Sequence, residues 1–355
     1  MSQAEVGNQA SRLQVSGSIS QVNDYFYDQG WTDGLPIVPP TEDLVLEMLE
    51  ACSMSGSSVL GRIPPLDGTV TVEKVAINSV MAGCKPDYFP VVLAAVKAVL
   101  QPQFNVGSIT TTTGGAAPVV VVSGPVADRL EIHGGTAVFG SGHRANATIG
   151  RALRLTMRNL GGAMAATMEK STHGWPGKYT MCFSENQDAN PWEPLHEEMG
   201  YKPSDSTVMV LASRGIHTLV ESSQETGRGV LETMVGSMTA GGISGYSFQS
   251  WGASVLIVLG PEHAAEIAAD GFGRKEIKDY LFENVRMPMG KIKNRGHYGT
   301  RSWPDEYDSK PDDFMVPLVA NVNKLVLVVA GGDGRHSSWF PAWSYTQRSV
   351  EVIEG

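Results

Sequence analysis

Short apolar runs closed by glycine recur along the chain. Val119-Val-Val-Val-Ser-Gly124-Pro125 returns almost unchanged as Val255-Leu-Ile-Val-Leu-Gly260-Pro261. Runs this short and this apolar predict strands buried on both faces. Each leads through a glycine-x-glycine-basic segment, Gly140-Ser-Gly142-His-Arg144 and then Gly271-Phe-Gly273-Arg-Lys275, into a helical pattern opening at Ile149 and at Ile277. A helix behind Thr41 runs through Leu44, Val45, Met48 and Leu49, whose spacing is that of one helix face. Further helices are predicted over 70–82, 88–100, 147–160, 227–240 and 274–286. Strands are predicted over 106–113 and 118–123, at Val208, near 245–258 and over Lys324–Gly332.

Strands alternating with helices predict an α/β fold with partly mixed sheets. The repeated strand–turn–helix units predict two similar halves around a central cleft. Residues 1–20 read as a mobile tail. Residues 21–204 form the first half, with a long polar loop over 171–202. Residues 205–355 form the second half, closed by the Lys324–Gly332 strand. A structureless stretch as long as 171–202 is uncommon inside a domain and is often functional.

Composition narrows the function. The chain has 355 residues, 42% hydrophobic and 18% charged, enough for a sizeable core. A net charge of −10 argues against nonspecific nucleic-acid binding. No apolar run reaches the roughly 18 residues of a membrane span, and the first residues carry no signal-peptide pattern, so a cytoplasmic protein is expected. Three cysteines do not make a disulfide framework.

Three segments carry candidate chemistry. In Gly83-Cys84-Lys85-Pro86 a thiol sits beside a lysine just before a helix, a setting that favours thiolate. Gly174–Asn186 gathers Lys178, Tyr179, Cys182 and Glu185, with Lys178 and Cys182 on one face if the backbone is extended. Gly140–Arg151 offers backbone N–H groups at a helix start, with Arg144 and Asn146 to hold a carboxylate or phosphate. Arg151, Arg154 and Arg158 recur at helical spacing and read as a solvated face. His297 and His336 follow glycines in loops at the ends of elements, where α/β sites assemble.

Trp31-Thr-Asp-Gly-Leu-Pro-Ile-Val-Pro-Pro-Thr41, Met81-Ala-Gly-Cys-Lys-Pro-Asp-Tyr-Phe-Pro90, Asn146-Ala-Thr-Ile-Gly-Arg-Ala-Leu153, Pro176-Gly-Lys-Tyr179 and Pro191-Trp-Glu-Pro-Leu195 carry a resemblance. Across residues 21–340 the chain resembles a bacterial family found beside, or fused to, short UGSC thiol modules with a Cys- or selenocysteine-Gly-Ser-Cys motif. The resemblance attaches no settled reaction. This chain has no Cys-Gly-Ser-Cys of its own, so the resemblance implies a small thiol-module partner subunit acting in trans.

The leading expectation is an enzyme acting on a small anionic metabolite by thiol-dependent lyase, hydrolase or reductase chemistry. Cys84 or Cys182 serves as nucleophile, and Glu185 or Tyr179 moves protons. Arg144, Asn146, Lys178, Lys85, His297 and His336 bind the substrate. A noncatalytic binding or scaffold subunit for the thiol module is the first alternative. A metalloenzyme using His133, His143, His297 or His336 is the second. No cofactor is assigned, and a homo- or hetero-oligomer is expected.

Overall fold

The structure, a computed structural model, describes residues 10–242, 248, 251–296, 299, 301, 303–343 and 345–354. It is a mixed α/β fold built on two four-stranded sheets, with two smaller antiparallel pairs, β1 (Val59–Ile63) with β2 (Gly68–Thr71) and β8 (Arg286–Pro288) with β9 (Met315–Pro317). In the first sheet, β3 (Ala117–Ser123) pairs in parallel with β4 (Cys182–Ser184) and antiparallel with β5 (Thr207–Ser213). Outside β5 runs β12 (Ser349–Val352), antiparallel. In the second sheet, β7 (Val255–Leu259) pairs in parallel with β10 (Leu325–Val329) and antiparallel with β11 (His336–Phe340). Outside β11 runs β6 (His217–Val220), antiparallel.

Alternation along each strand explains the layering. Val119 and Val121 of β3, Phe183 of β4, and Met209 and Leu211 of β5 face one way. They meet Leu256, Val258, Val326, Val328 and Phe340 of the second sheet in one apolar cluster. The opposite faces carry Val120, Val122, Val208 and Val210 in one sheet and Val255, Ile257, Leu325 and Leu327 in the other, and these bury helices. Because every position of β3 and β7 is covered, their runs are continuously apolar rather than alternating. The result is four layers: helices, sheet, sheet, helices.

Outside the first sheet lie α2 (Glu42–Glu50), α3 (Val72–Ala82), α4 (Phe89–Leu100) and α5 (Arg144–Gly161). Outside the second lie α6 (Gly227–Gly242), α7 (Pro261–Ala269) and α8 (Arg274–Asn284). The near-total apolarity of α4 reflects burial. Among the described residues no single helix is long and apolar enough to cross a membrane.

Several expectations are corrected. The space between the sheets holds the apolar layer, not a central cleft. The chain does not divide at 204/205: β5 and β12 complete the first sheet, while β6, three residues after β5, joins the second. Residues 106–113 are not a strand. Val106–Thr110 is a helical turn, and the Thr110 and Thr111 hydroxyls donate back to the Gly107 carbonyl, which turns a β-branched run away from a ladder. The 171–202 segment contains β4, a 3-10 turn at Pro176–Lys178 and a helical turn at Leu195–Glu198. Of the expected tail, Ala10 and Arg12 are tied down: Ala10 N donates to Glu73, and Arg12 pairs with Glu42 and Glu73. A first helix, α1 (Ile19–Asp28), then begins behind the Ser18 capping box. Residues 1–9 lie outside the described residues.

The arginine spacing on α5 is not a solvated face either. Arg151 makes paired bonds to Asp33 at 2.8 and 2.9 Å and donates to the Pro36 carbonyl. Arg158 donates to Gly30 O, and Asn159 to Trp31 O. The proline-rich segment after α1 is therefore clamped onto α5 by side chains reading its backbone.

Candidate functional site

A cavity of about 720 Å³ opens beside the start of α5. Four segments line it: the Lys85–Tyr88 turn between α3 and α4, the chain from Ala127 to Gly135 after β3, the His143–Ala145 start of α5, and Ser184–Asp188 at the end of β4. Each reaches the cavity for a local reason. α3 stops at Gly83, whose backbone is left-handed, and Pro86 starts the next turn, which leaves Lys85 exposed between them. The parallel pairing of β3 and β4 delivers the residues after Ser123 and Ser184 to one end of the sheet.

The cationic side of the lining is Arg144 with Lys85. Arg144 Nε and Nη2 both donate to Gly83 O, at 3.1 and 2.9 Å, which fixes the guanidinium and leaves Nη1 for a ligand. Lys85 Nζ lies 5.9 Å from the centre of the Tyr88 ring. His143, at the N-cap of α5, gives no side-chain cap, so no side chain there satisfies the first-turn N–H groups.

The central feature is a pair of imidazoles. His133 and His143 stack with ring centres 3.5 Å apart and planes 4° from parallel. Asn146 fixes the first by its backbone, accepting from His133 N at 2.8 Å and donating to His133 O at 2.9 Å. His133 Nε2 lies 2.7 Å from the Thr136 carbonyl. A carbonyl only accepts, so Nε2 carries the proton and Nδ1 of the neutral ring keeps a lone pair. Next to it Gly134 passes so close to β4 that a Cβ would sit 2.5 Å from Glu185 O, so only glycine fits.

The acidic side of the lining is Asp128, Glu131 and Asp188, all exposed. Glu185 also borders the cavity but is buried and fully engaged. It accepts from Arg274 Nη2 and Leu195 N at 2.7 Å, and from Ser123 Oγ and Asn190 Nδ2 at 3.2 Å. Ser123 Oγ also lies 2.9 Å from His196 Nδ1. Glu185 therefore anchors β4 rather than carrying protons for a ligand.

Of the residues expected from sequence, Lys85, Arg144 and Glu185 border this cavity, with Asn146 behind its wall. Cys84 and Cys182 do not border it. Both are buried, and burial pushes the Cys84 thiol up to about 12, only partly offset by Thr148 and the nearby arginines. Burial also pushes Cys182 upward, with Cys84 adding to it. Burial therefore disfavours the thiolate at both positions and holds both thiols off the cavity, against the expected nucleophile role.

Lys178 and Tyr179 lie elsewhere, because the Pro176–Lys178 turn breaks the extended backbone that would have aligned Lys178 with Cys182. Lys178 Nζ lies 3.1 Å from Glu169, and its carbonyl accepts from buried Arg154. Burial, then the Arg154 charge, lowers Lys178 to about 8 against the opposing pull of Glu169. Tyr179 is exposed. His336 is exposed at the start of β11 and does not line the cavity. His297 lies outside the described residues.

For the metal alternative, no group of three or more His, Cys, Asp or Glu side chains among the described residues is placed to hold a metal ion. Stacked rings present faces, not lone pairs, to each other. His133 and His143, named from sequence as metal-ligand alternatives, form a stacked pair that sequence reasoning missed. The signal within reach was His143 inside the Gly140–Arg144 segment already singled out. No protein-family model and no curated protein matches the chain.

Proposed function

We propose that the cavity is the active site of an enzyme that transfers a proton on a small polar acid. The observation that carries this is the convergence of Arg144, Lys85 and the stacked His133–His143 pair on one cavity of about 720 Å³. Arg144 Nη1, Lys85 and the first turn of α5 hold the acid group. Asp128 and Asp188 take up its hydrogen-bond donors. His133, with its Nε2 proton tied to Thr136 O, offers Nδ1 as the general base. His143 supports that ring from behind by its stack. The buried cysteines take no part.

The test uses hydrogen exchange at carbon. The protein is incubated in D2O with L-malate, L-aspartate, succinate and phosphoserine, and deuterium incorporation is followed by NMR. His133→Asn is expected to lower exchange about a hundredfold or more, as removal of a general base does. Arg144→Ala is expected to raise KM about tenfold. Failure to bind any of the four acids in calorimetry sinks the reading. So does an unchanged rate in His133→Asn.

A second reading, that the chain works with a thiol-module partner, is favoured by one observation: Cys84 and Cys182 are both buried, so a thiol acting in the cavity would come from another chain. A small stoichiometric chain co-purifying with the protein supports it. A single-component preparation with full activity removes it.

We also infer that the chain carries one unit twice. What supports this is the matching order and sense of strand pairing, β12-β5-β3-β4 against β6-β11-β7-β10, together with the repeated Gly-Pro runs.

A further inference from the structure

A second cavity, of about 350 Å³, lies on the seam between the two sheets' surroundings. The helical turn Leu195–Glu198 and Tyr201 contribute from one side, Lys278 of α8 and the start of β10 from the other, and Arg348 and Val350 from the C-terminal strand. Its charges do not balance. Glu198 is the one carboxylate among the lining residues, and it already pairs with Lys278 and approaches Arg274 Nη1 at 3.4 Å. Arg274 has a further partner in Glu185. Arg348 spends Nη1 on the Asn323 carbonyl and, among the described residues, forms no ion pair, feeling only the more distant charge of Glu198. Burial and the Arg348 charge also depress Lys324 next to it. In a chain of net charge −10 this is a local excess of positive charge around an apolar floor of Leu195, Val326 and Val350, which belong to one cluster.

A half-buried guanidinium beside a cavity loses hydration without gaining a full counter-charge, so an anion entering there recovers energy that water does not supply. The floor adds a second requirement. Three aliphatic side chains reward an apolar body more than a bare phosphate. We propose that the seam cavity binds a small carboxylate with an apolar body, its acid group on Arg348 and Lys278 and its body on Leu195, Val326 and Val350. The site is separate from the first cavity and does not depend on how that cavity is read.

The test is a calorimetric titration of the full chain with hexanoate. 1-Hexanol serves as the probe without charge and inorganic phosphate as the probe without an apolar body. Hexanoate is expected to bind at one site, and hexanol and phosphate each about tenfold or more weaker. Arg348→Gln is expected to weaken hexanoate about tenfold or more, while Lys85→Gln in the first cavity leaves it unchanged. Should Arg348→Gln fail to fold, Lys278→Gln gives the same reading, because its partner Glu198 keeps Arg274. Equal binding of hexanol or of phosphate overturns the proposal. So does unchanged hexanoate binding in both variants, loss of binding in Lys85→Gln, or no binding of hexanoate at all.

Discussion

At the scale of single residues, burial decides which reactive groups the protein can use. Cys84 beside Lys85 reads in sequence as an activated thiol, yet its side chain turns inward under α3 and joins the helical core. A thiol held near 12 is ionised in only about one molecule in 100,000 at pH 7. Iodoacetamide applied to the folded protein should therefore leave Cys84 and Cys182 unmodified, with Cys52, the one cysteine that is not buried, the site of any labelling seen by mass spectrometry. Lys178 gives a pH signature. Its folded value of about 8 lies below the ordinary 10.5, so the unfolded chain holds the proton more tightly across that window. The cost is fully present below pH 8, and stability rises as pH climbs from there towards 10.5. Urea midpoints taken at the two ends of the window should show this rise in the native chain and a smaller one in Lys178→Met. Arg144 and Lys85 were legible in the sequence because charge beside glycine at an element end survives folding as an exposed group. The His133–His143 stack was not, because it is a contact between a loop and a helix cap that no spacing rule encodes.

At the scale of elements, the long apolar runs announced themselves and the short ones did not. β3, β7 and β10 are buried on both faces, so their sequence is unbroken by polar positions. β4 has three residues inside a polar stretch, and its pattern is too brief to register. What marks its place is α5, which packs on it through Gly150. A Cβ there would sit 2.4 Å from Thr180 Oγ1 and 2.9 Å from the Met181 backbone nitrogen. Gly150→Ala should cost about 1–3 kcal/mol through displacement of β4, read as a lower urea midpoint, despite alanine's better helix propensity. The clamp on the proline-rich segment is equally local. Replacing Asp33 by alanine leaves Arg151 with backbone partners only. The variant should expose residues 30–36 to limited proteolysis while the melting of the rest changes little.

At the scale of the whole molecule, one buried ion pair ties the two sheets' surroundings together. Arg274 and Glu185 are 2% and 0% exposed at 2.7 Å, and Arg274 also donates to the carbonyls of Leu327 and Glu193. Arg274→Met strands a buried carboxylate and should cost about 3–5 kcal/mol, with much of that recovered in the double variant Arg274→Met/Glu185→Gln. The sequence marked which runs are buried, but not how the strands are shared out between the sheets. A run's apolarity says that it is buried and leaves open which sheet receives it. β5 leaves the first sheet and becomes β6 of the second, while β11 leaves the second and returns as β12 of the first, and the two crossings run side by side through the Ser213–Ala342 bridge. Neither sheet can shed its outer strand without pulling on a central strand of the other. The molecule should therefore melt as one interleaved body: tryptophan signals from Trp31 and from Trp303, each isolated by replacing the remaining indoles with phenylalanine, should report the same midpoint.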